Sequence, residues 1–179
     1  MSDKVCLVLA GVSGSGKSTL SESLKYFIDV YIDNLIIQGI EENCVIACAG
    51  DYFMQDGEYK FDASKLGAAH KQCKEKFEKA VEDEISLVIV ANTNTVLSHT
   101  LPYLKYAEDN GYVSHYICMI PWRKNQKNTN QVPLKTLGKQ SAQLNDTIKA
   151  CHDNFIEQNI RLSGLEELTK LSQEMGLYD

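Results

Sequence analysis

Residues Gly11 to Ser18 read Gly-Val-Ser-Gly-Ser-Gly-Lys-Ser. Two glycines bracket four positions, and lysine and serine follow. Glycines at these positions let successive backbone N–H groups converge on phosphate oxygens with no Cβ in the way. Lys17 is spaced to reach β- and γ-phosphates, and the Ser18 hydroxyl is spaced to hold Mg²⁺. The expected ligand is a nucleoside triphosphate, ATP with Mg²⁺. It would be bound over Gly11, Ser13, Gly14, Ser15, Gly16, Lys17, Ser18 and Thr19.

Such a loop works only between a strand and a helix. Lys4 to Ala10 is a short apolar run suited to a buried parallel strand. After the loop, Leu20, Leu24, Phe27, Ile28, Tyr31 and Leu35 recur at helical spacing, and a helix is expected to end near Gly39. This order points a helix N-terminus at an anion. Further strands are expected at Cys44–Ala49, Leu87–Ala91 and Tyr112–Ile120. Gly50–Tyr59 reads as a loop with a turn at Asp56-Gly57. Asp62 reads as the N-cap of a helix running to about Asp83, with an apolar stripe of Leu66, Ala69, Cys73, Phe77, Ala80 and Val81. Further helices are expected over Ser98–Asn110, stopping at Gly111, from Pro133 in a first turn, and over Gly164–Met175. Strands alternating with helices predict an α/β fold with a parallel sheet of four to five strands. The expectation is a single domain over residues 1–179, with a basic lid over about 121–133 and C-terminal helices over about 133–179.

The chain has 179 residues, 44% of them hydrophobic, and a net charge of −6. That charge argues against a general nucleic-acid coat. No apolar run is long enough to span a bilayer, so no membrane is expected. The six cysteines are scattered, with no CxxC pair and no zinc spacing. They read as reduced thiols of a cytoplasmic protein, and those in expected strands as small buried hydrophobes. From Pro121 to Asn145 there is no acidic residue, yet Arg123, Lys124, Lys127, Lys135 and Lys139 are all present. The segment is either a solvated basic face or one that faces phosphate.

The sequence resembles the polynucleotide-kinase-like P-loop kinases, the phage 5′-hydroxyl polynucleotide kinase domain and its relatives. Besides the loop, the resemblance rests on Asp51-Tyr52-Phe53 followed by Gly57-Glu58-Tyr59-Lys60-Phe61-Asp62, on Ala69-His70, and on Val90-Ala91-Asn92-Thr93-Asn94. A weaker match runs from Pro121-Trp122 through Lys127 to Pro133. Together these segments span about residues 4–137. The resemblance implies an adenylate-kinase-like sheet order and transfer of the ATP γ-phosphate to a hydroxyl. The acceptor class is a nucleic-acid end, a nucleotide or a small metabolite. It also implies catalytic roles for Lys17, Asp51, Arg123 and Lys127, and acceptor contacts from Tyr52, His70, Asn92 and Asn94.

The chain departs from that pattern in three places. Gly50 stands where relatives carry a catalytic carboxylate, and Ala91 where they carry Asp before Asn-Thr-Asn. Lys127 and Asn130 replace an arginine and a histidine in the lid. Glycine cannot take a proton from an acceptor hydroxyl, and lysine lacks the planar fork of arginine. The residues therefore leave open a kinase, a nucleotide-binding protein of impaired catalysis that acts by binding or sequestration, and, as a third reading, an ATP- or GTP-hydrolysing switch.

Overall fold

In the computed structural model, the structure describes residues 4–34, 43–119 and 132–154. Strand β1 (Val5–Ala10) runs into the glycine loop, and helix α1 (Lys17–Asn34) follows. Strand β2 (Cys44–Ala47) leads through a 3-10 helix (Ala49–Phe53) to a small hairpin of β3 (Met54–Gln55) and β4 (Glu58–Tyr59). Helix α2 (Leu66–Glu82), strand β5 (Leu87–Val90), helix α3 (Leu97–Asp109), strand β6 (Val113–Cys118) and helix α4 (Leu134–Asn154) complete the fold. The main sheet has the order β2-β5-β1-β6, with every pairing parallel. Val5 of β1 pairs with Leu87 and with Val113, so the strands start level and their C-terminal ends form one edge.

Side-chain alternation sets the layers. Cys6, Val8 and Ala10 of β1, Val88 and Val90 of β5, and Val45 and Ala47 of β2 point to one face. There they meet Phe77 of α2, Leu104 of α3 and Leu144 of α4. Leu9, Ile89 and Cys44 point to the other face, covered by Leu20, Leu24 and Ile28 of α1. Phe77 anchors the larger core. It is 1% exposed, and Tyr103 meets it edge-on at 5.0 Å between ring centroids. Burying a side chain of that size contributes about 1.5–3 kcal/mol. Among the described residues, no helix is long and apolar enough to cross a membrane.

Several expectations change in detail. Strand β2 stops at Ala47, and the stretch read as a loop is a 3-10 turn plus a hairpin. Asp56 (φ 51°) and Gly57 (φ 81°) make the two-residue hairpin turn, which needs left-handed backbone at both positions. Phe27 lies at the edge of the α1 stripe and is 64% exposed, and Leu66, in the first turn of α2, is 41% exposed. Asp62 does cap, but it caps the short 3-10 turn before α2, accepting from the Ser64 N–H at 2.9 Å. Pro133 lies just before α4, its carbonyl accepting from the Thr136 and Leu137 amides. The region near Gly39, most of the expected lid with Arg123 and Lys127, and the Gly164–Met175 helix lie outside the described residues.

Candidate functional site

The phosphate loop leaves β1 at the sheet's C-terminal edge. Gly11 N donates to Thr93 O at 2.8 Å, tying the loop to the chain after β5. A Cβ on Gly11 would lie 2.4 Å from Ser15 Oγ and 2.8 Å from Met119 O, so only glycine fits there. Gly14 (φ 81°) and Gly16 (φ 94°) adopt the left-handed backbone that turns loop amides inward. Ser18 and Thr19 are exposed in the first turn of α1, where the helix dipole favours negative charge.

Lys17 is buried, with its ammonium folded back over the loop. Nζ donates to Gly11 O and Val12 O, each at 2.9 Å, and lies 3.4 Å from Ser15 Oγ. No carboxylate among the described residues balances this charge. Burial pulls its pKa down from 10.5 to about 8, partly opposed by the nearby Cys48 sulfur. An ammonium held by carbonyls above a glycine nest at a helix N-terminus fits a polyphosphate in chemistry and in place.

The neighbouring turns are built differently. Asp51, in the stretch read as a loop, lies in the 3-10 helix, and its carboxylate is 3.7 Å from Lys76 Nζ at the surface. Gly50 has room for a side chain, although a Cβ would come within 3.2 Å of Cys48 Sγ. Ala91 is buried at the end of β5. Asn92 and Asn94, read from sequence as acceptor contacts, line the cleft between α2, α3 and α4 and also hydrogen-bond within the protein. Asn92 Oδ1 accepts from Ala49 N at 2.8 Å, and its Nδ2 reaches Cys73 Sγ at 3.2 Å. Asn94 Nδ2 donates to Leu9 O at 2.8 Å from a backbone at φ 45°. Both amides latch the loops at the strand ends. Cys48 Sγ lies 3.7 Å from Ala91 O, and burial raises its thiol pKa.

Beside these turns lies a cleft of about 900 Å³ between α2, α3 and α4. His70 lines it, as do His99, Lys74, Tyr103 and Lys139. Burial, then the nearby His99, hold the His70 pKa below its usual value. Tyr52 lies outside this lining. Its ring packs edge-on against Phe53 at 5.4 Å, in a cluster that includes Tyr59 and Phe61. The sequence reading passed over His99, Tyr103 and Lys139 as site residues. Tyr103 and His99 sit on α3 four residues apart, a spacing that places them on one face, and that signal was readable. Lys139 belongs to the acid-free basic run noted in the sequence, and it reaches the cleft from α4, a helix distant in sequence from the loop.

For Mg²⁺, the donor set is sparse. Among the described residues there is no group of three His, Cys, Asp or Glu able to hold a metal. The chain's contribution would be the Ser18 hydroxyl, which fits an ion carried mainly by nucleotide phosphates.

No family model matches the chain. Human NEDD4-binding protein 2 is 33% identical over 108 residues, covering 60% of this chain and 5% of that protein. A putative bifunctional polynucleotide kinase/RNA ligase of Autographa californica nuclear polyhedrosis virus is 27% identical over 169 residues, covering 88% of this chain and 22% of that protein. The chain thus spans less than a quarter of either curated relative. Among solved structures, a chain of the Pnkp1/Rnl/Hen1 RNA repair complex superposes with a TM-score of 0.59 at 19% identity, over 83% of this chain and 46% of that one.

Proposed function

We propose, from the chain's place among polynucleotide-kinase-like P-loop kinases, that it is an ATP-dependent phosphotransferase that moves the γ-phosphate to a hydroxyl. The observation that carries this reading is the Lys17 ammonium, buried with only oxygen partners of its own loop. Loop amides from Ser13 to Thr19 would hold the phosphates, and Lys17 would leave its carbonyls for the β- and γ-oxygens. Magnesium, when bound, neutralises phosphate charge, with Ser18 as the chain's ligand. The acceptor would lie in the cleft beside His70, within reach of the cations Lys74 and Lys139. Its class is a nucleic-acid end, a nucleotide or a small metabolite. On sequence grounds alone, Arg123 and Lys127 are the candidates for the charge that meets the transferring phosphoryl group, from a basic segment within one domain.

The test pairs calorimetry with transfer. Wild-type protein should bind ATP, and label from [γ-³²P]ATP should pass to one of a panel of 5′-hydroxyl oligonucleotides, nucleosides and small alcohols. Loss of ATP binding in Lys17→Ala supports the loop's role; unchanged affinity removes it.

One observation favours a second reading, a nucleotide-binding protein of impaired catalysis. Positions 50 and 91 carry no carboxylate, and Asp51 faces Lys76 rather than the loop. Loss of one acid–base group costs a factor of about 10²–10⁴ in rate. Binding of ATP with no transfer across the whole panel would select this reading.

A further inference from the structure

Helix α4 reaches the phosphate loop through the Gln140 side chain. Gln140 Oε1 accepts a hydrogen bond from the Ser13 backbone N–H at 2.9 Å. The same helix face reads Thr136, Lys139, Gln140 and Gln143, and all four line the acceptor cleft. Their spacing places them on one side of a helix. Gln140 therefore borders both compartments, the loop on one side and the cleft on the other.

Its position is fixed from further along α4. Thr147 Oγ1 donates to Thr95 O at 2.9 Å, and Thr95 Oγ1 donates to Gln143 Oε1 at 3.3 Å. These bonds pin α4 to the chain that follows β5, so Gln140 meets the loop at a set distance. The phosphoryl group that transfers must lie between the loop and the acceptor. That is where Ser13 and Gln140 meet.

A carboxamide suits this place because it carries an acceptor and two donors without charge. In the structure its oxygen satisfies the Ser13 N–H. An anionic oxygen taking that N–H would face the Gln140 oxygen, lone pair against lone pair. A half-turn about the terminal torsion, which is broad and soft, presents Nε2–H instead. Building on the nucleotide-binding reading, we infer that Gln140 is a specificity-determining contact for the terminal phosphate of the bound nucleoside triphosphate. It caps the Ser13 amide in the free protein and donates to the γ-phosphate in the loaded one. The chain thereby distinguishes triphosphate from diphosphate.

The experiment compares the imido analogue of ATP with ADP by calorimetry in one magnesium-containing buffer. Wild type, Gln140→Ala, Gln140→Glu and Lys17→Ala are titrated, and each melting temperature is recorded. A glutamate cannot turn a donor to the phosphate and adds repulsion. Gln140→Glu should weaken the analogue by about tenfold or more and ADP by less than about threefold. Gln140→Ala should weaken the analogue by about 3- to 10-fold and leave ADP unchanged. Equal losses for both nucleotides, no loss, or tighter analogue binding by Gln140→Ala would overturn the inference. If Gln140→Glu fails to fold, the analogue-to-ADP ratio of Gln140→Ala decides. Lys17→Ala separates the two levels: should it leave both nucleotides bound as in wild type, the nucleotide reading itself fails. Should it weaken both while the Gln140 variants bind as wild type, only the role of Gln140 fails.

Discussion

At the C-terminal edge of the sheet, the loop after β1 and the turns after β2 and β5 lie side by side and differ in kind. The β1 loop carries the amides, the left-handed glycines, the lysine and the serine that polyphosphate binding needs. The turns after β2 and β5 carry Gly50 and Ala91, with no carboxylate at either position. In those turns the side-chain amides hydrogen-bond within the protein, Asn92 with Ala49 and Cys73, and Asn94 with Leu9, while both residues also line the cleft. Binding and transfer are thus separable demands. Backbone amides plus one ammonium suffice to hold a triphosphate, whereas removing a proton from an acceptor needs a positioned base. A chain can keep the first and alter the second without disturbing the sheet.

The sharpest way to break this contrast is to supply what the second region lacks. The double variant Gly50→Asp/Ala91→Asp should raise phosphotransfer by about 10²–10⁴-fold if acids are what limit it. At position 50 the new side chain requires Cys48 Sγ to yield a few tenths of an ångström. Measured label transfer that stays flat across the acceptor panel would mean the missing acids do not limit the rate.

On the binding side, Lys17→Ala removes charge-assisted hydrogen bonds worth about 1.5–3 kcal/mol, a loss of roughly 10- to 150-fold in ATP affinity. Calorimetry reads this directly.

Asn92→Ala tests whether the second region is structural. It leaves the buried Ala49 N–H without its 2.8 Å acceptor, at a cost of about 1–3 kcal/mol. A clear fall in melting temperature is expected, with a smaller change in ATP affinity than Lys17→Ala produces. An unchanged melting temperature would show that the latch contributes nothing.

The smallest effect is one of pH. Burial places the Lys17 pKa near 8 in the free protein. Phosphate favours the charged ammonium and so raises that pKa on binding. Affinity should therefore be complete below pH 8 and decline above it, by about tenfold at pH 9. Calorimetry in buffers of different ionisation enthalpy should show uptake of up to about one proton near that pH. Affinity that is flat from pH 7 to 9 would place the ammonium away from the phosphates.

The part of this account readable from sequence is the part set by local pattern. Four apolar runs became four parallel strands because fully buried strands need little else. The glycine spacing marked the loop because few other residues tolerate those backbone angles. Gly111 marked the end of α3, and Asp62 the 3-10 turn that precedes α2, for equally local reasons. Pairings between distant segments were not legible. Nothing near Gln140 announces a bond to Ser13, because the two are 127 residues apart and meet only once α4 packs. Asn92 and Asn94 stood out at the strand ends as expected. Their inward hydrogen bonds depend on where Ala49, Cys73 and Leu9 come to rest. Asp51 falls in the stretch read as a loop, which leaves its direction open. The 3-10 helix turns it toward Lys76 on α2.

The central claim is that the β1 loop holds a nucleoside triphosphate. Its most direct test is a ¹H–¹⁵N spectrum of the protein titrated with the imido analogue of ATP and magnesium. The account predicts saturable shifts of the Ser13 to Thr19 amides, together with the Gln140 side-chain amide. Loop amides that stay in place while the nucleotide is added, or shifts confined to other parts of the chain, would contradict it.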